Sequence, residues 1–113
     1  MNDERREALK ARLEARAAEL AEAERSSADE RRSVELDQQS VGRLSRMDAM
    51  QVQAMSNAQS RRRATELRRI EAALKRWEEG EYGYCAGCGE EIAERRLDLD
   101  PATPLCMDCA SGR

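Results

Sequence analysis

The stretch "VGRLSRMDAM", residues 41–50, interrupts a chain that otherwise reads as continuous charged helix. Gly42 suits the left-handed residue that follows a helix C-terminus. Ser45 precedes a new helical pattern, and Asp48, three residues later, completes a pattern that resembles a capping box. The stretch therefore predicts that one helix ends near Val41, that a short turn follows, and that a second helix begins near Ser45.

Helical periodicity continues on both sides of this turn. Residues 3–41 contain neither proline nor glycine, and the predicted seam of the first helix is Leu9, Leu13, Ala17, Leu20, Ala23, Ser27, Val34 and Val41. The predicted seam of the second helix is Met50, Ala54, Ala58, Arg61, Ala64, Leu67, Ile70, Leu74 and Trp77. We assign to packing the larger members Leu13, Leu20, Leu67, Ile70, Leu74 and Trp77.

A short turn returns the second helix along the first, so the sequence predicts an antiparallel α-helical hairpin, or coiled coil. At 1.5 Å per residue the second helix would be about 50 Å long. Gly42 and Ser45 favour a chain that folds back on itself over one that pairs with a second copy. We therefore expect a monomer.

Composition limits the class of protein. The 113 residues include no phenylalanine, one tryptophan and two tyrosines, and 38% of them are charged. This supply of large apolar side chains suits long helices better than a compact globule. The net charge of −3 argues against general nucleic-acid binding. No window approaches the ~18 apolar residues of a membrane span, and the N-terminus lacks a signal-like apolar region, so we expect a cytoplasmic protein.

The composition changes abruptly at Gly80. Residues 80–113 hold both prolines, both tyrosines, all four cysteines and five of the six glycines. We therefore predict a mainly α fold with two parts. Residues 1–79 form the hairpin, with its tip near 42–48, and residues 80–113 form a small separate module at its open end.

The cysteines have the spacing of a four-cysteine zinc site. Cys85-x2-Cys88 and Cys106-x2-Cys109 are separated by seventeen residues, and each pair forms a turn that can present two thiolates to one ion. A redox-active dithiol pair is the alternative. Four thiolates would close the coordination sphere, and the chain has no histidine. The pattern predicts one structural Zn²⁺ per chain and no enzymatic activity.

The segment around these cysteines resembles the signature of the DksA/TraR family of bacterial transcription factors. The resemblance covers residues 80–109, "GEYGYCAGCGEEIAERRLDLDPATPLCMDC". The matching positions are Tyr82, Gly83, Cys85, Cys88, Gly89, Glu91, Ile92, Arg95, Arg96, Leu97, Pro101, Cys106 and Cys109. The long helical hairpin before it also matches the family's architecture.

The resemblance implies that the protein binds RNA polymerase, not DNA. In this family the coiled coil enters the secondary channel of the polymerase, and its tip approaches the active centre to modulate initiation. It implies an effector tip formed by Ser45, Met47, Asp48, Ala49 and Met50. It further implies docking through Arg62, Arg69 and Arg96.

Three departures from the family pattern change these expectations. The family tip often carries two acids, whereas Ser45 stands where the first would be and only Asp48 remains. Asp100 precedes Pro101 where a basic contact to the alarmone ppGpp is expected, and the chain stops four residues after Cys109. We therefore expect weak or absent ppGpp dependence. The sequence leaves open activation versus inhibition. It also leaves two alternatives, a nucleic-acid-binding zinc ribbon and a coiled-coil adaptor with structural zinc.

Overall fold

The computed structural model describes the backbone of residues 1–38 and 43–112 and the side chains of residues 1–29 and 47–112. Over these residues the chain is mainly helical, in the order α1 (Asp3–Gln38), α2 (Arg43–Glu78), α3 (Glu94–Leu99) and α4 (Met107–Ala110). A single antiparallel bridge joins Tyr84 and Glu91 within the described segments. None of the described helices is long and apolar enough to span a membrane.

The chain divides into two compact units. The first unit contains Met1–Ala17 and Leu67–Arg113, and the second contains Ala18–Glu66. The first unit holds nearly all of the buried apolar side chains, which come from both helices and from the cysteine-bearing module. They are Leu9, Leu13, Ile70, Ala73, Tyr82, Cys85, Ile92, Leu97 and Ala102. The module thus shares one apolar core with the helix segments of its own unit, which compensates for its few large residues.

Gly80 ends α2 by a specific backbone arrangement. Its φ of 76° lies in the left-handed region that glycine adopts at little cost. The Gly80 N–H donates to the Trp77 carbonyl at 3.2 Å, and the Glu81 N–H donates to the Arg76 carbonyl at 2.8 Å. This pair of bonds is a Schellman motif, which satisfies the last carbonyls of the helix. The composition change at Gly80 therefore coincides with the end of α2.

Ion pairs join α3 to α1 and α2 within the first unit. The Arg5 guanidinium bonds the carboxylate of Asp98, and Arg12 donates to the Asp98 carbonyl at 3.0 Å. From α2, Arg69 donates to the Asp100 carboxylate at 2.7 Å. These groups are largely exposed, so each pair adds little stability on its own. Their effect is to orient α3, whose buried Leu97 supplies the apolar contact.

In the second unit the contacts between α1 and α2 are polar. The Glu24 carboxylate accepts from the Ser60 hydroxyl at 2.8 Å and from the Arg63 guanidinium at 3.0 Å. The hydroxyls of Ser27 and Ser56 lie 3.3 Å apart. As the residue number increases along α1 from Glu24 to Ser27, the number of the contacted residue on α2 decreases from Ser60 to Ser56. The helices of this unit run antiparallel, as the sequence predicts.

The seam predicted for this half of α2 is wrong in register. Met50, Ala54, Arg61 and Ala64 are exposed, whereas Ala58 is half-buried. The less exposed series is instead Ala49, Gln53, Ser56, Ser60 and Arg63, which alternates steps of four and three residues. On α1, Ala23 is exposed and Glu24 takes its place. Hydrogen bonds to Glu24 select the polar face, and a pattern of apolar residues cannot reveal such a seam.

The predicted start of α2 is also wrong. The helix begins at Arg43, so Ser45 is its third residue and not its N-cap, and Asp48 lies a full turn inside it. The serine propensity for caps is a local preference, and a longer helix overrides it here. The end of the first helix near Val41 and the cap assigned to Gly42 lie outside the described residues. The side chain of Ser45 lies outside them too.

Burial of Tyr82 makes the stability of the first unit depend on pH. Its hydroxyl donates to the Pro101 carbonyl at 2.8 Å, and burial raises the pKa of Tyr82 to about 12 from an ordinary value of 10.0. Because the pKa is higher in the folded state, this contribution to stability is complete below about pH 10. It is lost as the pH rises from about 10 to about 12.

We expect ultraviolet absorbance to show a tyrosine that ionises near pH 12 in the native protein. Tyr82→Phe should remove that transition and lower the free energy of unfolding at neutral pH by about 1 kcal/mol through the lost hydrogen bond. The matched variant Tyr84→Phe, at an exposed position, should keep the transition. Loss of the transition in Tyr84→Phe instead would contradict the assignment.

Candidate metal centre

Each cysteine pair lies in a tight turn stabilised by its own backbone. In the first turn, the Gly89 N–H donates to the Cys85 carbonyl at 2.9 Å. The Gly87 N–H donates to Cys85 Sγ at 3.3 Å. Gly89 has a φ of 78°, which favours glycine at that position. The turn thus directs both of its cysteine side chains to the same side.

The second turn begins α4. Cys106 is the N-cap of this four-residue helix, and its Sγ accepts from the Cys109 N–H at 3.5 Å. The two turns are joined by a backbone bond from the Ala86 N–H to the Pro104 carbonyl at 2.8 Å. The residues between the cysteine pairs therefore return the second turn to the first.

The four sulfurs form a cluster of the right size for a tetrahedral ion. All Sγ atoms of Cys85, Cys88, Cys106 and Cys109 lie within 4.8 Å of one another. The Cys88 and Cys106 sulfurs are 3.8 Å apart. A tetrahedral Zn²⁺ with Zn–S bonds of about 2.3 Å requires sulfur–sulfur distances of about 3.8 Å. The donor set and its geometry therefore fit zinc.

Gly87 makes room for this cluster. A β-carbon at position 87 would lie 3.2 Å from Cys109 Sγ and 3.5 Å from a methyl group of Leu105. The first of these distances is shorter than nearly all contacts of real β-carbons. Any larger residue at position 87 would therefore push against the Cys109 sulfur, which glycine avoids.

Hydrogen bonds within the cluster move the pKa values of Cys85 and Cys109 in opposite directions. Backbone hydrogen bonding, first from Cys106, lowers the pKa of Cys85 to about 6. Hydrogen bonding to the side chain of Cys85 raises the pKa of Cys109 to about 12. Four thiolates cannot coexist at these distances without a compensating positive charge. Binding of Zn²⁺ must therefore release protons, and the affinity for zinc should decrease as the pH is lowered.

Arg96 supports the second turn from the side. Its guanidinium donates to the Leu105 carbonyl at 2.9 Å and to Thr103 Oγ1 at 3.2 Å. Another of its nitrogens lies 3.7 Å from Met107 Sδ. Sequence reasoning assigned Arg96 to docking and did not detect this support. Thr103, buried with 3% of its surface exposed, was not predicted either, because no short motif connects it to Arg96 and Leu105, with which it forms hydrogen bonds.

The predicted tip and docking residues are divided between the two units. Met47, Asp48 and Met50 are exposed, and Ala49 is half-buried on the side of the polar seam. Arg62 is exposed in the second unit, whereas Arg69 is bonded to Asp100 in the first. The four cysteines are the predicted site residues that the structure gathers together.

Comparison with known proteins agrees with this geometry. Residues 80–113 match the family described as Prokaryotic dksA/traR C4-type zinc finger. The chain is 49% identical over 43 residues to the RNA polymerase-binding transcription factor DksA of Haemophilus influenzae, a match that covers 38% of this chain and 30% of that protein. The same factor of Escherichia coli K12 is 46% identical over 43 residues, which cover 38% of this chain and 28% of that protein. The matched region thus spans less than a third of these relatives.

The solved structure of transcription factor DksA2 from Pseudomonas aeruginosa extends the comparison to the whole chain. It superimposes with a TM-score of 0.87 at 24% sequence identity, and the match covers 99% of this chain and 84% of that one. At this identity the match establishes the fold. The zinc-finger match and the sulfur cluster together identify the ion as a structural Zn²⁺. Residues 80–113 are therefore a C4-type zinc finger of the dksA/traR type, carried on a chain that has the fold of DksA2.

Proposed function

We propose that this protein is a cytoplasmic transcription regulator that binds RNA polymerase directly and acts as a monomer. The observation that carries the proposal is a C4 zinc finger of the DksA/TraR type on a chain that has the DksA2 fold over 99% of its length. The curated relatives are named RNA polymerase-binding transcription factors. The eight acids among residues 78–100 make direct contact of the finger with nucleic acid unfavourable.

The proposal also states how the protein enters the polymerase and which of its residues act there. The helical hairpin enters the secondary channel, and the start of α2 is the part that reaches toward the active centre and modulates initiation. The effector residues are Ser45, Met47, Asp48, Ala49 and Met50. Asp48 supports this role because it is exposed. It also lies inside α2, where a cap does not require an acid.

Retention of the protein on core RNA polymerase tests the proposal. We expect wild type and Asp48→Asn to be retained equally, and Asp48→Asn to lose most of its effect on initiation in vitro, by about tenfold. Glu71→Gln, which neutralises another exposed acid of the same helix, should keep the wild-type effect. Failure of the wild type to bind core polymerase would refute the function. Full activity of Asp48→Asn would refute the effector.

We propose that Arg62 contacts the polymerase directly. Arg69 and Arg96 would act indirectly, through their contacts with other residues of the first unit. Arg62 is exposed, and a basic side chain on the entering helix would steer the protein toward an acidic channel entrance. Arg69 positions Asp100 at 2.7 Å, and Arg96 supports the zinc turn through Leu105. These two residues would therefore maintain the docking surface instead of contacting the polymerase themselves.

The pair of Arg69 and Asp100 also bears on ppGpp. By the family resemblance, Arg69 matches one basic contact to the alarmone on the second helix, and its guanidinium is bonded to the carboxylate of Asp100. A polyphosphate would have to displace this carboxylate, which itself repels the ligand. We therefore propose that ppGpp contributes little to the action of this protein.

Transcription assays with and without ppGpp check this proposal. The effect of the protein at a responsive promoter should change less than about twofold when ppGpp is added. Asp100→Asn, which removes the competing charge and preserves the size of the side chain, is the variant most suited to gain a response. Strong synergy between ppGpp and the wild-type protein would contradict the proposal.

A further inference from the structure

The two units differ in how much apolar surface their helices bury. Both long helices contribute to both units. In the first unit these helices bury Leu9, Leu13, Ile70 and Ala73. Among the described residues of the second unit, Leu20 is the one buried apolar side chain. The hydrophobic stabilisation of the helix pair is therefore concentrated in the first unit.

The second unit joins its helices through hydrogen bonds between side chains. One carboxylate oxygen of Glu24 accepts from the Ser60 hydroxyl at 2.8 Å, and the other accepts from two nitrogens of Arg63 at 3.0 Å and 3.1 Å. The hydroxyls of Ser27 and Ser56 lie 3.3 Å apart. We call these five residues the polar seam. All five are only half-buried, so water can replace these bonds, and the net contribution of each to stability is small.

Larger apolar side chains are present in the same stretch of α2 but lie outside the seam. Met50 and Met55 are 68% and 65% exposed. An ordinary coiled coil places such residues between its helices, because burial of a large apolar side chain stabilises more than a bond that water can replace. The second unit is therefore held together less strongly than an apolar seam would hold it.

We propose that the second unit opens by itself. Its two helix segments separate at Glu24 and lose the protection of their backbone amides, while the first unit keeps its fold. Separation exposes the backbone because an unpaired helix of this length is marginally stable in water. Glu24 is the residue that closes the pair, since its two oxygens bond both Ser60 and Arg63, one turn apart on α2.

The use of this opening rests on the proposed function. A polymerase that binds the packed helix pair would reduce the population of the open form by mass action. The second unit would then be most ordered in the complex, and the first unit, with its zinc finger, would be ordered with or without the partner. The opening itself is a property of the free protein and can be measured without polymerase.

Hydrogen-exchange mass spectrometry of the zinc-loaded full chain tests the inference. After correction for intrinsic rates, we expect the amides of 18–29 and 47–66 to exchange at least about a hundredfold faster than those of 9–17 and 67–78. All four segments lie inside the two long helices, so helix content alone predicts no such difference. Equal protection of the two units in the wild type would overturn the inference.

Substitutions in the polar seam test its cause. Glu24→Ala removes both acceptor oxygens and should speed exchange in the second unit by about a further tenfold, with the first unit unchanged. Glu22→Ala is the matched control, because this acid of the same helix is 67% exposed and pairs with Arg25 on the helix surface. It should change exchange by less than about twofold. Ser27→Leu/Ser56→Leu places an apolar pair in the seam and should slow exchange about tenfold or more.

The outcomes separate this inference from the proposed function. Exchange in the second unit that responds to neither Glu24→Ala nor Ser27→Leu/Ser56→Leu would overturn the role of the polar seam. The wild type and Glu24→Ala decide the matter if the double variant fails to fold, which circular dichroism and zinc content check. Core polymerase that binds the wild type without slowing exchange in 18–29 and 47–66 would overturn the coupling to binding. Core polymerase that does not bind at all would refute the function, and rapid exchange in the free protein would still support the opening.

Discussion

Removal of zinc is expected to unfold the finger. In Cys109→Ala, or in the wild type treated with a strong chelator, residues 80–112 should lose their protection against hydrogen exchange. The reason is that two turns, the second of which begins α4, present four sulfurs, all within 4.8 Å of one another. In zinc-finger peptides a structural zinc contributes about 10–16 kcal/mol of folding free energy. The few apolar residues of this module cannot replace a contribution of that size.

Hydrogen-exchange mass spectrometry together with measurement of bound metal checks this expectation. The wild type should carry one zinc per chain and Cys109→Ala none. Ser111→Ala, which truncates an exposed hydroxyl bonded to the Met107 carbonyl in the same C-terminal turn, should retain the metal and the protection. A zinc-free protein with fully protected finger amides would show that the apolar core suffices to fold the module.

The second large effect is expected at Leu97. This side chain is completely buried, and its methyl group would lie 4.0 Å from a β-carbon at Gly83. Truncation of a buried leucine to alanine removes apolar contact and leaves a cavity, which together cost about 2–5 kcal/mol. We expect Leu97→Ala to reduce the free energy of unfolding of the first unit by this amount at constant zinc concentration.

Leu99→Ala provides a matched control for that measurement. Leu99 lies in the same six-residue helix but is 81% exposed, so its truncation should change the free energy of unfolding by less than about 0.5 kcal/mol. Urea denaturation of both variants, followed by the absorbance of Trp77 and the two tyrosines, compares them directly. Equal losses in the two variants would mean that the helix, and not burial of Leu97, accounts for the stability.

The zinc finger could be predicted almost completely from the sequence. Coordination by a CxxC pair depends on residue type and local spacing, and both are visible in the chain. The end of α2 at Gly80 is local for the same reason, because the Schellman motif is made by residues 76–81. Contacts that follow no short motif could not be predicted from the sequence. Arg96 reads as a surface arginine until the structure places Leu105 and Thr103 beside it.

The register between α1 and α2 is the clearest feature that the sequence could not predict. The apolar pattern predicted that Met50 would lie in the seam, yet Met50 is 68% exposed, and Ser56 and Ser60 occupy the contact with α1. Hydrophobic periodicity identifies a seam only when burial of apolar area selects the register. In the second unit hydrogen bonds to Glu24 and Ser27 contribute to that selection. Such bonds depend on which residues of the two helices face each other.

The sequence by itself determined two long helices, the position at which the second one ends, and a four-cysteine zinc centre, because each depends on interactions within a few residues. The tertiary structure alone decided the helix register, the pairing of Arg69 with Asp100 and the outward position of Met55. These features depend on packing between segments that are far apart in the chain. The polar contacts at which the second unit is proposed to open belong to this second group.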